Sequence, residues 1–320
     1  MEGMTKLVST DVDQTIDMGI EVIFNKQMKL ERILKEEYAH WKIDNLTFAG
    51  NGLEQIVFKA TTREYREVAI KVPWVRIFHR ETEGPLDSRD ILNQEFVLTK
   101  GISKYIHVSF PIHLHHGKEI DFLITKFVES DDSKVTQFEK GRFLSELHRI
   151  PIDSEIELIQ QRKNPFITYL SNRLENRKNE IEKATGITLN FPTKNEIMEL
   201  LAERKYTPSL LHMDYRNENL LINKGKINAL IDWSNALVGD PALEVCRTSE
   251  FDGVDAEFLE GYGDSNYLKQ IPKQVEYLYR LDAAIMLTNV FLTSHPNKEN
   301  AQNWLNRVKD LQKKLLKEMN

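Results

Sequence analysis

Only one cysteine, Cys246, occurs in the 320 residues, so an intramolecular disulfide framework is excluded and a reducing, cytoplasmic compartment is the expectation. Cys246 itself reads as a small apolar core residue. No apolar run approaches the ~18 residues of a membrane span, and the opening MEGMTKLVSTDVDQTIDMGI has no uninterrupted apolar stretch of the export-signal type. No membrane partner is expected. An excess of positive charge is also missing: 43 Lys and Arg stand against 49 Asp and Glu, a net charge of −6. That balance argues against a nucleic-acid partner held by a basic surface and gives no support for a polybasic anchor. Internal repeats and low-complexity tracts are absent. What is left is an ordinary globular composition, long enough for two units that each bury a core.

The hydrophobic period changes along the chain. Residues 1–42 carry Ile20, Val22, Ile23, Met28, Leu30, Ile33 and Leu34 among charges and read as an amphipathic helical extension. Within 43–128, the runs LTFAG, QIVFKATT and REVAIKVPW predict three antiparallel strands, DSRDILNQEFVLTKGI predicts a helix at 88–103, and VSFPIHLHH and IDFLITKFV predict two further strands around a GKE turn. After Glu129 the spacings turn helical in FEKGRFLSELHRI, NPFITYLSNRLENRKNEIEKA and NEIMELLAERK, with two short strands, LLINKG and KINALID, as an interruption. The segment 241–318 is mainly helical again. The expected fold class is α+β, a small five-stranded antiparallel unit with one helix followed by a larger helical unit at 129–320, with the boundary in FVES at 127–130.

The residues that carry chemistry cluster in two places. HMDYRNEN at 212–219 is followed by IDWSNALVGDPA, which sets out Asp214, Asn219 and Asp232. Transfer of a γ-phosphate needs a carboxylate beside the accepting hydroxyl and hard oxygen ligands for Mg²⁺. Asp214 is the candidate for the first role, and Asn219 and Asp232 are the candidates for the second. A tight NKGK turn lets a hairpin bring their polar tips to one end. His212 reads as a strut for the loop backbone, and Asp240-Pro241 as a helix N-cap whose carboxylate could also brace the loop.

Upstream, Val68-Ala69-Ile70-Lys71 matches the strand-borne lysine motif of kinases, in which the ammonium pairs with α and β phosphates. Such a lysine needs an orienting carboxylate on the neighbouring helix. Glu95 is the candidate, preferred over Glu81 and Glu83, which lie in a Gly/Pro-bounded loop. Between the first two strands, Gly50-Asn51-Gly52 would let backbone N–H groups approach phosphate oxygens without a Cβ in the way. The third glycine of the fuller GxGxxG pattern is missing.

In order and spacing these motifs resemble the aminoglycoside phosphotransferase and choline kinase superfamily, which has a bilobal protein-kinase-like fold. The family's loop usually reads HGDxxxxN and its metal segment IDWxxxxxGDPxxE; here they stand as HMDYRNEN and IDWSNALVGDPALE, and ELHRI around His148 is similar to the family's helix motif. The resemblance spans about residues 43–290 and departs at Met213, where glycine is usual. It implies ATP or GTP as phosphate donor, with the base against a hinge near Phe127 and Val128, together with Mg²⁺ and a small-molecule hydroxyl acceptor. An aminoglycoside or other antibiotic is one class of acceptor; choline, homoserine or a sugar is the alternative. A regulatory pseudokinase is disfavoured by the intact Lys71, Asp214, Asn219 and Asp232. A protein kinase is disfavoured because IDW stands in place of DFG and no APE segment follows. Glu250, Asp252, Asp255, Glu257, Glu260 and Asp264, uninterrupted by Lys or Arg, would draw a cationic acceptor if they formed an open acidic surface. The sequence leaves the acceptor, the nucleotide and the oligomeric state open.

Overall fold

Side chains that alternate along β-strands build the first unit. The computed structural model describes residues 5–80, 84–152, 158–161 and 165–319. A long helix, α1 (Thr5–Glu37), precedes β1 (Asp44–Asn51), β2 (Gln55–Thr62) and β3 (Arg66–Pro73). A short ribbon of β4 (Ile77–Arg80) and β5 (Gly84–Asp87) leads to α2 (Ser88–Ile102), and β6 (Pro111–His116) and β7 (Asp121–Lys126) follow. The main sheet has the order β1-β2-β3-β7-β6 with antiparallel neighbours throughout. The expected five-stranded sheet with one helix is present. The β4–β5 ribbon was not anticipated, because a Gly/Pro-bounded segment reads locally as a loop.

Two compact units emerge: Met1–Phe78 with Leu86–Phe96 and Ser109–Phe127, and His79–Pro85 with Val97–Val108 and Val128–Asn320. In the first, Leu30, Ile33 and Leu34 of α1 pack against Ile56 and Phe58 of β2, Val68 and Ile70 of β3, and Phe122 of β7. Residues three and four apart share a helix face, and burial of each such side chain contributes roughly 1.5–3 kcal/mol. The helix expected as an extension thus supplies part of this unit's own core. Because successive strand residues point to opposite faces, Val68, Ile70 and Val72 face α1 whereas Lys71 faces the other way, where α2 lies.

The second unit is mainly helical. It comprises α3 (Gln137–His148), α4 (Phe166–Thr185), α5 (Lys194–Ala202), the short strands β8 (Ser209–Leu211), β9 (Leu220–Asn223), β10 (Lys226–Leu230) and β11 (Leu237–Gly239), then α6 (Pro241–Phe251), α7 (Ala256–Tyr262), α8 (Lys273–Leu292) and α9 (Lys298–Met319). Local chemistry sets several boundaries. The Thr136 hydroxyl accepts from Glu139 N–H at the start of α3, and Thr193 with Glu196 forms a reciprocal capping box at the start of α5. Lys224 and Gly225, both at positive φ (52° and 73°), turn β9 back into β10. Cys246 is fully buried, which pushes its thiol up and suits a core role. Among the described residues no helix is long and apolar enough to cross a membrane.

Candidate active site

Strand β8 delivers the chain into HMDYRNEN. It pairs antiparallel with β11, Leu211 opposite Leu237 and Ser209 opposite Gly239, so the loop leaves β8 opposite the start of β11 and the GDP segment lies at the other end of the pair. Met213 sits at φ 66° with its side chain buried to 1% exposure. The residue that replaces the usual glycine therefore keeps the left-handed backbone that favours glycine. For an L-residue that conformation costs roughly 1–2 kcal/mol, whereas truncating a buried methionine costs roughly 2–5 kcal/mol. Met213→Gly is accordingly expected to lower the urea midpoint, because relief of backbone strain is smaller than the loss of packing; an unchanged or raised midpoint would reverse that ranking.

The β9–β10 hairpin gathers the polar residues. Leu220 pairs with Leu230, and Ile231 N–H donates to the Asn219 carbonyl at 3.0 Å, so Asn219 and Asp232 leave the hairpin at the same end. Asn219 Nδ2 donates to Asp214 Oδ2 at 2.8 Å and to the Asp214 carbonyl at 2.9 Å. These two bonds use the amide nitrogen and leave the amide oxygen Oδ1 for a cation. Asp232, at φ 67°, accepts from Ser234 Oγ at 3.0 Å through Oδ1, which leaves Oδ2. Asn219 Oδ1 and Asp232 Oδ2 are hard oxygen donors of the kind Mg²⁺ takes. Among the described residues no group of three or more His, Cys, Asp and Glu forms a metal cluster. Arg216 Nε lies 3.2 Å from Asp214 Oδ1, an ion pair without hydrogen-bond alignment.

The loop is braced from behind by Glu244 and His148, which lie within the motifs but carried no assigned role there. Glu244 Oε2 accepts from the His212 N–H at 3.1 Å and Oε1 from the Met213 N–H at 2.5 Å. His148 Nε2 reaches Glu244 Oε2 at 2.9 Å, and His148 Nδ1 meets the Tyr262 hydroxyl at 2.7 Å. Since a carboxylate only accepts, Nε2 carries the proton and Nδ1 accepts from Tyr262. Burial alone would raise the Glu244 carboxyl, but the hydrogen bonds from His148 and from the Met213 N–H hold it below the ordinary value. His212 acts as the expected strut: Nε2 donates to the Ile231 carbonyl at 2.9 Å, Nδ1 accepts the Asp214 N–H at 3.2 Å, and the ring stands edge-on to Trp233.

Asp240 does not brace the loop. It caps α6 through the Ala242 N–H, and its other oxygen accepts from Arg204 and Tyr279. The brace is Glu244, one turn further along α6, which the final E of GDPALE marked without assigning a role. Arg247, another turn on, donates to the Met213 carbonyl at 2.7 Å and lies 3.4 Å from Asp282. Burial lowers its guanidinium to about 10.

In the first unit Lys71 and Glu95 form a buried ion pair, at 7% and 4% exposure. Glu81 and Glu83, the alternatives weighed against Glu95, lie outside the described residues. Gly50 and Asn51 end β1, opposite Val57 and Ile56 of β2, and Gly52 opens the turn between the strands: Gly50 has φ 153°, nothing lies within 4 Å of a Cβ built at either glycine, and Gly52 N–H donates to the Gln55 carbonyl. Phe127 takes the Lys59 ammonium over its ring at 4.1 Å and donates its N–H to the Glu67 carbonyl. The division between the units falls between Phe127 and Val128.

Most of the acidic run has structural partners. Glu250 is paired with Arg280 and Arg307, and Asp252 lies 3.5 Å from the Lys140 ammonium. Asp255 caps α7, and Asp264 accepts from Asn266 and Gln270. These carboxylates do not form an open acidic surface; Glu257 and Glu260 alone stand exposed without such partners.

Residues 126–276, which include the whole Asp214, Asn219 and Asp232 arrangement, match the model of the phosphotransferase enzyme family. This stretch is similar to the phosphotransferase enzyme family, in line with the resemblance that the motifs carry. Solved structures of aminoglycoside phosphotransferases share the chain's fold. A streptomycin–ATP ternary complex of APH(2")-IIa matches with TM-score 0.57 at 18% identity, covering 91% of this chain and 98% of that one. The GDP complex of aminoglycoside 2'-phosphotransferase-IIIa matches with TM-score 0.58 at 15% identity, covering 90% and 99%. A protein of Haemophilus somnus 129PT, provisionally described as a fructosamine-3-kinase, matches with TM-score 0.60 at 18% identity, covering 92% and 99%. No curated protein sequence matches the chain.

Proposed function

We propose that this protein transfers the γ-phosphate of a nucleoside triphosphate to a hydroxyl of a small acceptor, with Asp214 as the group that accepts or orients the hydroxyl proton. The observation that carries this reading is the Asn219 amide, which donates to Asp214 and so turns its oxygen, rather than its nitrogen, away for a cation. Asn219 and Asp232 would hold Mg²⁺, and Lys71, oriented by Glu95, would hold the α and β phosphates, with Gly50, Asn51 and Gly52 over the phosphates. When bound, Mg²⁺ would neutralise charge on the phosphoryl group in transfer. Phe127 and Val128 would meet the base. ATP and GDP complexes of fold relatives support a nucleotide donor and leave both ATP and GTP as candidates.

The acceptor is read as a hydroxyl-bearing small molecule. Engagement of Glu250, Asp252, Asp255 and Asp264 removes the main reason for requiring a cationic one. A coupled kinase screen over aminoglycosides, macrolides, amino alcohols and sugars, run with both nucleotides, would identify it. Before that, MgATP or MgGTP is expected to raise Tm, and Asp232→Ala to diminish the rise; at [L] about 100 Kd the stabilisation is ~2.7 kcal/mol. Failure of both nucleotides to stabilise the wild-type chain would defeat the proposal.

A further inference from the structure

The second unit contains a cavity of about 700 Å³ lined by none of Asp214, Asn219 and Asp232. Its size falls within the ~300–1,000 Å³ common for small-molecule sites. Its walls bring together His148, Arg149, Arg204, Tyr206, Tyr262 and Tyr267.

The polar groups of this wall are not equally available. Asp240 already accepts from Ala242, Arg204 and Tyr279, and Asp264 from Asn266 and Gln270. The carboxylates at the cavity are thus satisfied, and the Arg204 guanidinium is paired with one of them. Arg149 differs: it ends α3 through backbone bonds, and its guanidinium has no hydrogen-bond or ion-pair partner among the described residues. It reaches over Gly263, where a Cβ would come within 3.3 Å of Nη2. Beside it the Tyr262 and Tyr267 rings meet edge to face at 4.8 Å. A planar cation with no partner among the described residues, next to aromatic rings, suits a ligand that has a carboxylate at one end and a ring at the other.

The same wall is wired to the catalytic loop. Tyr262 bonds His148, His148 bonds Glu244, and Glu244 holds the N–H groups of His212 and Met213. We propose that this cavity binds a small ring-bearing carboxylate and that occupancy is transmitted through Tyr262, His148 and Glu244 to Met213. A ligand that shifts the Tyr262 ring changes the first link of a chain whose last link sets a strained residue next to Asp214. Coupling of this kind is reciprocal, so a change at the loop would alter affinity at the cavity.

The test uses the full chain labelled with ¹³C-methyl methionine, with the Met213 resonance assigned by Met213→Leu, and benzoate as the probe. Benzoate is expected to shift the Met213 methyl saturably. Arg149→Ala is expected to weaken that titration by about 10-fold or more, the scale of a charge-assisted hydrogen bond, and benzyl alcohol to bind the wild type correspondingly less well than benzoate. Arg149 is exposed, so its truncation leaves the core intact. An unmoved Met213 resonance at saturating benzoate, equal affinity of the Arg149→Ala protein, or equal binding of benzyl alcohol would each overturn the proposal. No phosphoryl transfer is measured, so the outcome is independent of the role proposed for Asp214.

Discussion

Asp214→Asn is expected to lower phosphoryl transfer by something like ~10²–10⁴-fold, the scale of a positioned acid or base, with nucleotide binding largely retained. The substitution is close to isosteric. An asparagine oxygen at Oδ2 still accepts from Asn219 Nδ2, and the loop keeps the bonds from Glu244, His212 and Arg247 that set its backbone. Only the negative charge and the capacity to take a proton are removed. Single-turnover assays with the acceptor found by screening, alongside MgATP and MgGTP thermal shifts, separate chemistry from binding. Wild-type-like turnover would remove Asp214 from the proposed role. A collapse of nucleotide binding together with turnover would assign it instead to holding the metal.

Asp282→Ala is expected to produce the largest loss of stability, about 3–5 kcal/mol, the scale for removing one partner of a buried ion pair. On α8, wholly buried, Asp282 accepts from Arg173 at 3.0 and 2.7 Å, from Arg177 at 3.3 Å and from Arg247 at 3.4 Å, and so ties α4 and α6 to α8. Without it the Arg247 guanidinium stays buried beside the Met213 carbonyl with no carboxylate partner. Against a typical total of ~5–15 kcal/mol, that loss is large. The pH dependence has a definite sign. Burial would raise the Asp282 carboxyl, but Arg173, Arg177 and Arg247 hold it below the usual carboxylate value. Its contribution is therefore fully present above the unfolded-state carboxylate pKa and is lost as pH falls through the lower folded-state value. Urea midpoints measured from neutral to acidic pH should converge for wild type and Asp282→Ala at the acid end. A constant gap would show that packing, not charge, accounts for the difference.

The motif residues were readable because their chemistry is local. Hydrophobic period distinguished strands from helices, Lys224-Gly225 announced a hairpin, and that hairpin places Asn219 and Asp232 at one end, as their spacing about the turn predicts. The Lys71–Glu95 pairing was legible for a similar reason, since strand alternation and the apolar face of α2 limit which carboxylate can meet the ammonium. Other features escaped. The β8–β11 pairing joins segments too short to carry a strand signal of their own. Whether the acidic run formed an open surface was not legible, because its cations, Arg280, Arg307 and Lys140, are remote in sequence.

Residue type and spacing alone determined the α+β class, the five-stranded sheet and the candidate set Lys71, Glu95, Asp214, Asn219 and Asp232, because each rests on neighbours a few residues apart or on a repeating period. Tertiary structure decided what holds that set in place. Glu244 rather than Asp240 braces the loop, Met213 adopts a glycine-like backbone while filling the core, and three arginines converge on Asp282. Those arrangements depend on side chains dozens of residues apart meeting in a low-dielectric interior, where an unpaired polar group is too costly to leave and the partner is chosen by packing.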